Sequence, residues 1–208
     1  MCSVLLTKLS GRADETQKPA RQQAVYVARH TMTQTSKISV DKLITGDSFT
    51  NFIKSVRDFC DFIEIDTNEG STLFLKFVQT HLQTLYLTGQ KLQSVDLLHN
   101  KEFNDLLTKE DLQKILNPLS DKLNNNRFYW HVFDPTNEDD TEPVCGDLLD
   151  DLGDIYKDLK NALVLFDKGG PAEIEHAIWD FEWGFNNHWG DHCINATYAL
   201  HYFIQRST

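Results

Sequence analysis

The residues best suited by type and spacing to do chemistry are His188 and His192. Four apart on a helix, two imidazoles project from one side. Two neutral imidazoles at that spacing can share one divalent transition-metal ion. At about 100° per residue they sit on a flank, roughly 110° from the stripe Trp189, Cys193, Ala196, Leu200, with Asn195 and Tyr202 beside them. No Glu stands between them, unlike H-E-x-x-H, so a carboxylate ligand has to come from another helix. Asp151, Asp154 and Glu182 are the candidates. The plainer alternative is a pair of flank histidines hydrogen-bonded to neighbours.

A second constellation is the row Asp147, Asp151, Asp154 and Asp158, spaced four, three and four. All four fall within about 60° on one side of a helix. Like charges at these spacings cost about 0.2–0.5 kcal/mol per pair in an isolated helix. A cation, a basic side chain or, for Asp147, the helix N-terminus must offset that cost; a solvated acidic face is the default. A third group is His176, Trp179 and Trp183, which lie opposite the stripe Ile174–Phe181 on their helix. A helix apolar on two faces is either central to a bundle or open to a partner.

Other chemistries are excluded. Glu173 and His176 make a single E-x-x-H, whereas ferritin-like di-iron bundles need two and two further Glu. The paired E-x-x-E and E-x-x-D segments of helical nucleotide pyrophosphohydrolases are missing. The loop Asn137–Glu142 lacks the glycine and spacing of a calcium loop. No phosphate-binding glycine loop, nucleophile elbow or thiol–imidazole signature occurs.

The elements that must position these residues read as helices. Phe49, Phe52, Ile53, Val56, Phe59, Cys60 and Ile63 recur three and four apart, after Asp47 or Ser48 as N-cap. Leu75, Val78, Leu82 and Leu85 form a second stripe, widened by Leu73, Phe74 and Phe77 and stopped at Gly89. Residues 90–107 predict short helical turns. Thr108 and Asp111 approximate a capping box for a helix that Pro118 breaks or restarts. Phe128–Phe133 has strand propensity but no evident partner, which predicts an extended, packed segment. A helix over 144–167 carries Leu148, Leu152, Ile155, Leu159, Leu163 and Phe166. Gly169-Gly170-Pro171 opens the next, Asn186-Asn187 interrupts, and a last helix runs over about 188–205. The expectation is an all-α bundle of five to seven helices.

Residues 1–36 show neither period and are net basic, which predicts a disordered N-terminal extension before a single helical domain, 37–208. Met32 just precedes the periodic pattern and is a candidate for the true start. The 208 residues suffice for a buried core without staples. A formal net charge of -11 argues against nucleic-acid binding. Residues 134–192 hold sixteen Asp and Glu against three Lys, a surface that attracts basic partners or metal ions. Four widely spaced cysteines, no signal-peptide core and no apolar run near about 20 residues predict a cytoplasmic chain with reduced thiols, not at a membrane.

Four segments, Trp130–Pro135, Glu142-Pro143-Val144, Asp147–Tyr156 and His188–His192, resemble the family known as domain of unknown function 5063. The likeness covers roughly residues 45–205 and is strongest after 128. It implies a small bacterial cytosolic protein and brings no activity to carry over. Three functional readings remain. One is a non-enzymatic binding or regulatory protein that holds another protein through its acidic surface, Asp147 and Asp158 included, or through the face of His176, Trp179 and Trp183. Another is a metal-binding protein in which His188 and His192 join Asp151, Asp154 or Glu182, with hydrolase chemistry as one option if a bound water is activated. The third is a small-ligand pocket among the aromatic side chains, without catalysis.

Overall fold

A computed structural model describes residues 39–65, 71–99 and 101–207. The extension over 1–36 and the alternative start at Met32 lie outside these residues. Ser39–Thr208 form one unit. Among the described residues there are seven helices: α1 (Val40–Ile44), α2 (Asp47–Glu64), α3 (Ser71–Gly89), α4 (Lys109–Leu123), α5 (Leu148–Asp167), α6 (Pro171–Asn187) and α7 (Trp189–Arg206). The fold is an all-α bundle with one small two-stranded sheet. No described helix is long and apolar enough to cross a membrane.

The apolar stripes read from the sequence become the core. Phe52, Val56, Phe59 and Cys60 of α2, Leu75, Val78, Leu82 and Leu85 of α3, and Leu152, Ile155 and Leu159 of α5 are fully buried. α5 packs against α6, α7 and α2, and α3 packs against α7 and α2. Leu73 and Phe77, which widen the α3 stripe, stay exposed. Helix α2 starts one residue earlier than expected: Gly46 is its N-cap and Asp47 lies in the first turn.

Three expectations are corrected. Pro118 does not break α4, which runs through it from a reciprocal Thr108–Asp111 capping box. Leu119 and Leu123 beyond the proline are buried, and that packing holds the turn despite a local penalty of about 3 kcal/mol. Residues 90–107 form no helix among those described; they are an irregular strap bound to side chains of α5 and α6. Finally, Phe128–Val132 is a strand, β1, paired antiparallel with β2, Pro143–Asp147. β2 takes the four residues read as the start of a helix at 144, so α5 begins at Leu148. A proline and a glycine concealed β2, but proline is tolerated as the first residue of a strand. Gly146 is required because it faces Tyr129: a Cβ there would lie 2.4 Å from the phenol ring.

The hairpin is tied to α5. Arg127 donates to Asp147 from Nε at 2.8 Å and from Nη2 at 2.6 Å. Asp147 also caps α5, its Oδ1 accepting from the backbone N–H of Leu149 at 3.0 Å. Strand alternation then turns Tyr129 inward and leaves Phe128 and Trp130 exposed.

Candidate metal centre

α5 and α7 pack so that the acidic row of one faces the histidine pair of the other. His188 is not inside a helix. It ends α6 and is the N-cap of α7, with φ of -152° and ψ of -86°, neither helical nor extended. The first turn of α7 nevertheless preserves the four-residue geometry, because the His192 N–H bonds the His188 carbonyl at 3.4 Å. The two rings stand 4.9 Å apart. The joint is tight: a Cβ on Gly190 would lie 2.0 Å from the Phe185 carbonyl oxygen. Fully buried Trp189 anchors it, donating its indole N–H to the Phe181 carbonyl at 3.2 Å.

Each imidazole is oriented by a carboxylate of α5. Nδ1 of His188 lies 2.6 Å from Asp158 Oδ2, and Nδ1 of His192 lies 2.8 Å from Asp151 Oδ1. That leaves the Nε2 of each ring for another task. Nε2 of His192 is 3.5 Å from Asp154 Oδ2. Asp154, His188 and His192 each offer a ligand atom within 4.8 Å of the others. Two histidines and one carboxylate are a donor set for zinc or ferrous iron, and three protein ligands leave coordination positions open. The outer carboxylates match the arrangement by which metal-binding histidines are usually oriented.

Asp151 has a second anchor. It is 6% exposed and accepts from the Tyr129 hydroxyl at 2.6 Å on Oδ2. Burial, then the charge of Asp151, pushes the Tyr129 hydroxyl well above its usual range, so it stays a donor. Burial alone would depress His192, but the Asp151 hydrogen bond and the charges of Asp151, Asp154 and Asp150 outweigh it and raise the imidazole. Asp150 is itself raised, by burial and then by Asp154, Asp147 and Asp151. The centre is therefore short of positive charge.

The candidates divide accordingly. His188, His192 and Asp154 come together. Asp151 and Asp158 stand behind them as hydrogen-bond acceptors, and Asp147 serves Arg127 and the cap of α5. Glu182 is outside the group of three, its Oε1 accepting from Asn186 at 2.9 Å. Trp179 and Trp183 are half-buried and stack on each other, centroids 5.7 Å apart at 15°. His176 meets Phe103 edge-on at 4.9 Å, and burial lowers its imidazole. Glu173 pairs with Lys101. Sequence reasoning missed Tyr129, although alternation along the aromatic run would have set it on the face opposite Phe128 and Trp130.

The model of the family described as domain of unknown function (DUF5063) matches residues 44–205. The chain belongs to this family. No curated protein matches it. Among solved structures, it resembles protein BF1032 from Bacteroides fragilis, with a TM-score of 0.66 and 21% identity over 76% of this chain and 93% of that one. At that identity the likeness concerns the fold.

Proposed function

We propose that the protein holds one divalent transition-metal ion on Asp154, His188 and His192, and that it acts as a metal-dependent hydrolase. The observation that carries this reading is the pairing of each Nδ1 with its own carboxylate, at 2.6 and 2.8 Å. In the neutral rings that pairing favours the tautomer that presents Nε2 as a lone pair, and a bound cation would displace any proton from it. An ion there would act as a Lewis acid toward water or a carbonyl. Cobalt(II) titration of the chelator-treated chain tests it. Visible absorption bands that saturate at one equivalent support the centre; a spectrum identical to free cobalt(II) rejects it.

The reading as a non-enzymatic binding protein has support of its own in the hairpin, where Trp130 is 54% and Phe133 78% exposed. The Trp179/Trp183 face favours it less, since the two rings largely cover each other. Photo-crosslinking from position 130 in cells separates the readings: one discrete partner adduct favours binding, and none removes that support.

A further inference from the structure

Beside the candidate metal centre lies a cavity of about 180 Å³, where residues 103–106 cross α5 and α6. Phe103, Asp105, Asp158, Asn161, Asp180 and Trp183 wall it. Its roof is fixed by several ties. Asn161 Oδ1 accepts from the backbone N–H groups of Leu106 at 2.8 Å and Leu107 at 3.0 Å. Buried Glu175 accepts from the backbone N–H of His99 at 2.9 Å and also from Leu98. Trp183 is braced by Trp179, and Phe103 by His176. The cavity is thus preformed, as ligand sites usually are. At about 30 Å³ per water it holds roughly six waters or a short organic chain.

Its charges do not balance internally. Asp105 pairs with Lys157 at 2.9 Å, and Asp158 with His188 at 2.6 Å. Asp180 has no hydrogen-bonding or ion-pairing side chain among the described residues. Burial, then Asp158 and Asp105, pushes its carboxyl up to about 7. A half-buried carboxyl facing two like charges calls for one cation. An anionic ligand would meet three carboxylates. A bare divalent ion would find two of the three already engaged, and among the described residues the group of three able to hold a metal ion lies elsewhere. The aromatic walls instead suit a cation carried on an apolar stem.

We propose that this cavity binds a small organic cation, a primary ammonium or guanidinium on a short alkyl chain, with its head on Asp180 and its stem against Trp183 and Phe103. Resting on the metal reading, it is where the cationic end of the substrate is recognised, because Asp158 belongs to both places: it orients His188 and walls the cavity.

The experiment titrates the ¹⁵N-labelled full chain with n-butylammonium chloride and n-butylguanidinium chloride, with n-butanol as the uncharged control. The indole N–H of Trp183 is the reporter, assigned with Trp183→Phe. A saturable shift with either cation, at least tenfold weaker in Asp180→Asn and absent with butanol, is expected. Asp180→Ser gives a second removal of the charge should the first variant fail to fold. No saturable shift, equal affinity without the Asp180 charge, or equal binding of butanol overturns the proposal. Titrating chelator-treated and zinc-loaded protein in parallel keeps the ideas apart. Zinc uptake without cation binding sinks the cavity alone, and cation binding without zinc uptake sinks the metal reading alone.

Discussion

The hydroxyl of Tyr129, on a strand, donates at 2.6 Å to Asp151 on α5, and the other oxygen of that carboxylate holds His192 on α7 at 2.8 Å. The hairpin therefore helps set a ring on α7 through the Asp151 carboxylate. Tyr129→Phe removes the hydrogen bond and keeps the ring. Outer groups of this kind are worth about 10- to 100-fold in metal affinity, so zinc affinity should fall by about tenfold with the fold intact. Competition against a chromophoric chelator measures it, and an unchanged Kd would remove Tyr129 from the centre.

The two orienting carboxylates should be separable from the ligating one. Asp151→Asn and Asp158→Asn each turn an acceptor into a group able to donate, which disfavours the needed tautomer. Each should weaken zinc binding by about 10- to 100-fold while one equivalent still binds at saturation. Asp154→Asn removes a ligand charge and should cost more than either. Equal losses in all three variants would mean that they act only through net charge.

Gly146 is a steric requirement. A methyl group placed 2.4 Å from the Tyr129 ring must displace the strand or the ring. Gly146→Ala should cost about 1–3 kcal/mol in urea unfolding, the usual range for overpacking. It should also weaken zinc binding through Tyr129. Loss of stability with full zinc affinity would show that the hairpin and the centre are independent.

Asp180 makes stability depend on pH in a known direction. Its carboxyl sits at about 7 in the folded chain against an ordinary aspartate value of 3.8. As pH rises from about 4 to about 7 the unfolded chain loses this proton first, so folding weakens over that window and then levels off. Asp180→Asn cannot titrate. It should be more stable than the wild type at pH 8, by at most about 4 kcal/mol for some three pH units, and the gain should vanish near pH 4. A difference that is the same at both pH values would contradict this.

The helices were legible because burial imposes a period. The stripes from Phe49 to Ile63 and from Leu148 to Leu163 named core residues almost one for one. Strand β2 was not, because Pro143 and Gly146 erase any alternation and pairing with a segment eleven residues away leaves no local mark. The strap over 90–107 was misread for the related reason that its order comes from distant partners, Glu175 and Asn161. In the candidate centre, the i, i+4 pair and the aspartate row were visible in the chain. Which aspartate faces which imidazole depends on the packing of α5 against α7, and the Tyr129 anchor depends on β2.

The most direct measurement is elemental analysis of the untagged protein beside the His188→Ala/His192→Ala double variant, both purified without added metal and dialysed against a weak chelator. About one equivalent of zinc, iron or another transition metal in the wild type, lost in a folded variant, is the expected result. No transition metal in the wild type after incubation with one equivalent of zinc, or equal amounts in both proteins, would contradict a centre built on these two histidines.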